Sequence, residues 1–211
     1  MRYLIRNDEP LCLASMQSKY SSWSEVLPSE KSELWISLEQ MQQQFCAFCE
    51  REMEDDKKHI EHFIARSRNN SLTFIWSNLF GSCDSTENCG RYKDSKVKDY
   101  NENNLIKPDQ DDPLSFFIFL EDGLIAAKKG LSQIDELKAN ETIRVFGLNS
   151  TLLKASRRII FMGYKDIAKA YYELLNEFDS NDTETIAEII DEYKQNLEGQ
   201  PFFSALFQLI F

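Results

Sequence analysis

Cys46-Ala47-Phe48-Cys49 is followed, 33 residues later, by Cys83 and Cys89, and between the two pairs lies His59-Ile60-Glu61-His62-Phe63. This spacing decides the fold. A Cys-x-x-Cys turn can aim two sulfurs at one ion, and a second pair can complete a tetrahedron if the intervening chain folds back. Four thiolates leave no coordination position for water, so a zinc ion held by Cys46, Cys49, Cys83 and Cys89 would stabilise the fold and take no part in a reaction. The second pair is wider than the usual knuckle, and the alternative is four separate buried thiols. Cys12 stands alone near the start and reads as a small core residue.

Outward from this stretch, the chain has 211 residues, 42% of them hydrophobic, enough for a full core and too many for a mainly disordered state. A formal net charge of −11 excludes a protein that finds nucleic acid or an anionic membrane by bulk charge alone. Any such contact must be local or shared with a partner. No apolar run approaches the roughly 20 residues of a membrane-spanning helix, and Met1 to Pro10 lacks the apolar stretch of a signal peptide. A soluble, cytoplasmic protein is expected, with no membrane contact. Five cysteines in a reducing compartment fit metal ligation better than a disulfide framework.

The expected class is α+β, in three parts. Residues 1–28 show little periodicity and read as an N-terminal arm. Residues 29–107 carry a helix with Leu34, Leu38, Met41 and Phe45 at helical spacing, then both cysteine pairs among short elements. In 108–211, Asp122-Gly123 between Phe116-Phe117-Ile118-Phe119-Leu120 and Leu124-Ile125-Ala126-Ala127 marks a hairpin, and from Asn149 the pattern is helical. Leu152 to Ile160 and Ile167 to Phe178 read as separate stretches, and 183–197 as a further helix. Gln200 to Phe211 carries no charge, so it packs either in the core or against another subunit.

His59 and His62 are the only histidines in the chain. An imidazole titrates near neutrality and can accept a proton from water, and the adjacent Glu61 carboxylate can hold a divalent cation. Trp76-Ser77-Asn78-Leu79 leads into Cys83, and Lys93 follows Cys89 by four. In this order Cys46, Cys49, Glu61, His62, Asn78, Leu79, Cys83, Cys89 and Lys93 resemble the HNH endonuclease family, whose ββα-metal motif is often held between zinc knuckles. The likeness is closest to the HNH nucleases of Septu and retron-associated antiphage systems. It rests on Glu61-His62-Phe63, Trp76 to Leu79, Cys89-Gly90-Arg91-Tyr92-Lys93-Asp94, Thr142-Ile143, Leu148-Asn149 and Arg2 to Pro10, and so covers most of the chain.

The resemblance implies that His62 is the general base, that Glu61 helps hold a catalytic Mg2+ or Mn2+, and that Asn78 orients the histidine-bearing loop. The family's usual second metal ligand directly follows the last cysteine, where this chain has Gly90, leaving Asp94 or Asn88 as oxygen donors. Lys93 and Arg91 are the expected phosphate contacts. From Lys57 to Lys98 eight basic residues face four acidic ones, a positive island in an acidic protein. By the same resemblance the partners are an ABC-type ATPase subunit and, in some systems, a retron reverse transcriptase with its DNA; the apolar tail, the helices before it or the N-terminal arm could dock there. The competing class is a non-catalytic, zinc-stabilised adaptor. A DNA-binding module fits poorly, since no basic recognition helix is present.

Overall fold

A computed structural model describes residues 1–179 and 181–210. Helices α1 (Leu11–Lys19) and α2 (Pro28–Gln42) precede an antiparallel pair, β1 (Lys58–His62) and β2 (Leu79–Cys83), and helix α3 (Cys89–Lys96) packs on β2. A second small sheet, β3 (Phe117–Phe119) with β4 (Ile125–Ala127), leads into α4 (Gln133–Val145), α5 (Thr151–Leu175), α6 (Thr183–Leu197) and α7 (Phe203–Phe207). The class is α+β, with two-stranded sheets and a mostly helical C-terminal part. No helix among the described residues is long and apolar enough to cross a membrane.

Helix α2 begins at Pro28, whose fixed φ and missing N–H suit a first helical position, and the Glu30 carboxylate accepts from the Leu27 N–H at 3.2 Å. Leu34, Leu38 and Met41 turn inward. At the helix end, Gln42 accepts from the Gly81 N–H at 2.8 Å and donates to the Gly81 carbonyl at 3.0 Å, which seats α2 on β2. The register pairs His62 with Leu79 and Glu61 with Phe80. Cys-x-x-Cys is tied to the same strand, because the Ala47 N–H donates to the Gly81 carbonyl at 3.0 Å.

Three features differ from the pattern-based expectation. Residues 1–28 contain helix α1, for which little periodicity was expected, and Leu4, Leu13, Met16, Trp23 and Val26 are buried in the common core. The stretches from Leu152 and Ile167 belong to one helix, α5, uninterrupted by Gly163. Helix α4 was not anticipated; the Ser132 hydroxyl caps it by accepting from the Asp135 N–H at 3.1 Å. The Asp122-Gly123 hairpin is present, with Gly123 at φ 84° and no room for a Cβ, which would lie 2.1 Å from the Lys154 carbonyl oxygen.

Of the two placements open to the uncharged tail, the chain adopts the internal one, with Phe202, Ala205, Leu206 and Ile210 in the core. Glu50, directly after Cys49, fastens it. Its buried carboxylate accepts from the Ser204 N–H at 2.8 Å and from the Met1 ammonium, and lies 3.7 Å from Arg2 Nε. Glu50→Gln leaves that ammonium buried without its counter-charge, so a loss of about 3–5 kcal/mol is expected. Urea unfolding of the zinc-loaded variant measures it; an unchanged midpoint would remove Glu50 as the tie.

Candidate active site

The turn at Cys46 and Cys49 and the segment from the end of β2 to the start of α3 bring all four sulfurs within 4.8 Å of one another, all buried. Zinc–sulfur bonds of about 2.3 Å set tetrahedral sulfur separations close to this scale. Without a cation the four thiols cannot all ionise. Burial raises Cys46, yet hydrogen bonds from Cys49, Cys83 and Cys89 outweigh it and draw Cys46 down; Cys83 is raised by its hydrogen bonds with Cys46 and Cys49, and Cys89 by burial. Arg157 lies buried nearby without a carboxylate ion pair among the described residues; burial lowers its guanidinium to about 10, opposed in part by the charges of Cys49, Glu50 and Cys89. The donor set fits zinc.

Period two along β1 puts His59 and Glu61 on one side. Glu61 Oε2 lies 3.0 Å from His59 Nε2, and Oε1 lies 2.8 Å from Lys93 Nζ but is misaligned for a hydrogen bond. Burial raises the Glu61 carboxyl, but the His59 hydrogen bond and the Lys93 charge prevail and lower it. Gly90 explains where this carboxylate fits: a Cβ there would lie 2.2 Å from Glu61 Oε2. Glu61 thus fills the space a side chain at 90 would take. Gly90→Ala should push Glu61 aside or shift α3, costing about 1–3 kcal/mol. The variant's melting temperature should fall; a variant with unchanged stability would contradict the close fit.

His62 is 4% exposed and meets the Trp23 ring edge-on at 4.8 Å. Its Nε2–H donates to the Thr73 carbonyl at 3.0 Å, which leaves Nδ1 with the lone pair. Burial lowers the imidazole to about 4, so it is neutral at pH 7. Unfolded His62 takes up a proton near pH 6.5 and the folded one only near 4, so this side chain subtracts stability as pH falls through that interval, by up to about 3 kcal/mol. Denaturant midpoints at pH 7 and 4.5, without added divalent ion, should fall further for the wild type than for His62→Asn. Equal falls would count against a buried neutral imidazole.

Asn78 lies at the end of the short turn before β2 and holds the loop after His62. It accepts from the Ile64 N–H at 2.8 Å and donates to the Ile64 and Leu72 carbonyls, each at 3.1 Å. Lys93 departs from the expected phosphate contact. It is fully buried, and its Nζ donates to the His62 carbonyl at 2.9 Å and to Asp94 Oδ1 at 2.7 Å while facing Glu61. An ammonium so enclosed braces β1 against α3 and cannot reach a strand.

Glu61 and His62 line a cavity of about 500 Å³ with Lys58, Arg66, Arg91 and Asp94. Arg91 is exposed and pairs with Asp84 at 2.5 Å. Asp94 sits at the rim, raised by burial and by Glu61. Among the described residues, only the four cysteines form a cluster of three or more ligating side chains close enough to share an ion. Glu61 Oε1 is buried and faces the Lys93 ammonium at 2.8 Å, while Oε2 meets His59. Trp23, Lys31 and Trp35 also line the wall and escaped sequence reasoning. They come from the segments before the first knuckle, and no local spacing connects them to His62.

No family model matches the chain. It is 27% identical over 153 residues, 67% of this chain and 71% of the relative, to a protein of Vibrio cholerae serotype O1 biovar El Tor named "Retron Vc95 putative HNH endonuclease". The two are distant homologues.

Proposed function

We propose that the chain is a metal-dependent HNH endonuclease that hydrolyses phosphodiester bonds of DNA, or of RNA such as tRNA, as the effector of an antiphage complex. The observation that carries this reading is that neutral His62 and buried Glu61 line one cavity with Lys31, Lys58, Arg66 and Arg91, on a β1–β2–α3 unit clipped by four cysteines. His62 Nδ1 accepts the proton of the attacking water while Nε2–H stays on Thr73, which keeps the ring in one tautomer. Glu61, with Asp94 at the rim, would hold Mg2+ or Mn2+, whose charge stabilises the phosphate in the transition state. Lys93 holds the His62 and Phe63 carbonyls, Asn78 holds the following loop, and Arg91, Arg66 and Lys58 offer charge to the incoming strand.

The relative's name supports the retron setting, and the net charge of −11 favours delivery to nucleic acid by another subunit. An ABC-type ATPase, with or without a reverse transcriptase and its DNA, fills that role. The internal packing of Phe202, Ala205, Leu206 and Ile210 favours the preceding helices or the N-terminal segment as the docking surface. The adaptor reading draws on one observation, that Lys93 and His59 already flank Glu61. Incubation of the zinc-loaded protein with DNA and total RNA, with and without Mg2+ and the ATPase, separates the two. Ion-dependent fragments support the nuclease; intact substrates throughout support the adaptor.

A further inference from the structure

Gly90 stands where the resemblance places a metal-binding side chain, and β1 offers another donor in its stead. His59 and Glu61 lie two residues apart on one side of that strand, and both line the cavity. His59 Nε2 is 3.0 Å from Glu61 Oε2. Two donors bound to one ion at right angles by bonds of about 2.1 Å are about 3.0 Å apart, so this pair has the bite of a chelate. The nearby oxygens are engaged elsewhere: Glu61 Oε1 faces the Lys93 ammonium at 2.8 Å, and Asp94 Oδ1 accepts from it at 2.7 Å. His59 Nδ1 is buried, has no hydrogen-bond partner among the described residues and lies 3.3 Å from Asp84 Oδ1. Metal-ligating imidazoles commonly turn their second nitrogen towards a carboxylate in this way, which leaves the lone pair on the first.

We propose that His59 Nε2 and Glu61 Oε2 together hold the divalent ion, with His59 serving in place of the ligand that Gly90 lacks. Two protein donors suffice, because water and the phosphate oxygens of the strand supply the remaining positions of such sites. The charge of the corner suits a cation. Glu61, Asp84 and Asp94 stand there against Lys93 and Arg91, and Arg91 Nε holds Asp84 Oδ1 at 2.5 Å. The contact between His59 and Glu61, on which the adaptor reading draws, is then a ligand pair. The inference rests on the nuclease reading for the use of the ion, but the ion's binding is measured without substrate.

Electron paramagnetic resonance of Mn2+ added to the zinc-loaded, tag-free full chain tests it. His59 and His62 are the only histidines, so the origin of an imidazole nitrogen coupling to bound Mn2+ can be assigned by substitution. The coupling should persist in His62→Ala and disappear in His59→Ala. His59→Ala should also weaken Mn2+ binding at least about 10-fold while zinc content stays unchanged. Should His59→Ala fail to fold, the coupling in His62→Ala decides alone. No binding at millimolar Mn2+, binding without nitrogen coupling, coupling lost in His62→Ala, or an affinity indifferent to His59→Ala overturns the proposal. Ion-dependent cleavage beside any of these would leave the nuclease reading standing; nitrogen-coupled Mn2+ with intact strands would overturn that reading and uphold the ligand pair.

Discussion

Replacing Cys89 by Ser, or removing the ion with a chelator, is expected to abolish the native fold. Structural zinc supplies about 10–16 kcal/mol in zinc-finger peptides, comparable to or above the roughly 5–15 kcal/mol by which whole domains are stable. The loss should not stay local. The Cys89 N–H donates to the Phe146 carbonyl at 2.7 Å, and Phe48 inside the first turn stacks on Phe146 at 4.3 Å, so the cluster and the helical part share one core. Near-UV circular dichroism should collapse as zinc leaves, with one equivalent bound beforehand. An apo protein that keeps its near-UV signal and melting temperature would show that the four sulfurs do not hold the fold.

His62→Ala is expected to lower the single-turnover cleavage rate by about 10²–10⁴ while leaving zinc bound. The imidazole touches Trp23 and one carbonyl and ligates nothing in the cysteine cluster, so its removal opens a small space beneath Trp23 without disturbing the metal. The cavity cations Lys58, Arg66 and Arg91 are untouched, so affinity for a nucleic-acid strand should change little. Zinc content, strand binding and rate measured on one preparation separate these effects. A rate within twofold of wild type would remove His62 from the proton-transfer step.

The sulfur cluster was legible in the sequence because ligation imposes local spacing, whereas the cavity that Glu61 and His62 line depends on Trp23, Lys31 and Trp35 from distant segments. Lys93 was misread for a reason: lysines are normally solvated, and only the fold reveals two backbone carbonyls, Glu61 and Asp94 waiting around its ammonium. The fit of Glu61 into the space at Gly90 is likewise a relation between a strand and a helix that neither segment announces. Helix α4 escaped because its buried Ala139, Thr142 and Val145 are weak apolar signals, while Ile134 and Leu137 face outward. The break expected between Leu152–Ile160 and Ile167–Phe178 does not occur, since Gly163 lies on an exposed face where the helix passes without obstruction.

The most direct measurement is strand scission by the zinc-loaded protein, with and without the proposed ATPase partner, as Mg2+ is titrated from zero. The account predicts cleavage that saturates with Mg2+ although zinc is already bound, and that stays at background in His62→Ala at every ion concentration. Scission independent of added ion, scission that survives in His62→Ala, or intact strands at saturating Mg2+ would each contradict it.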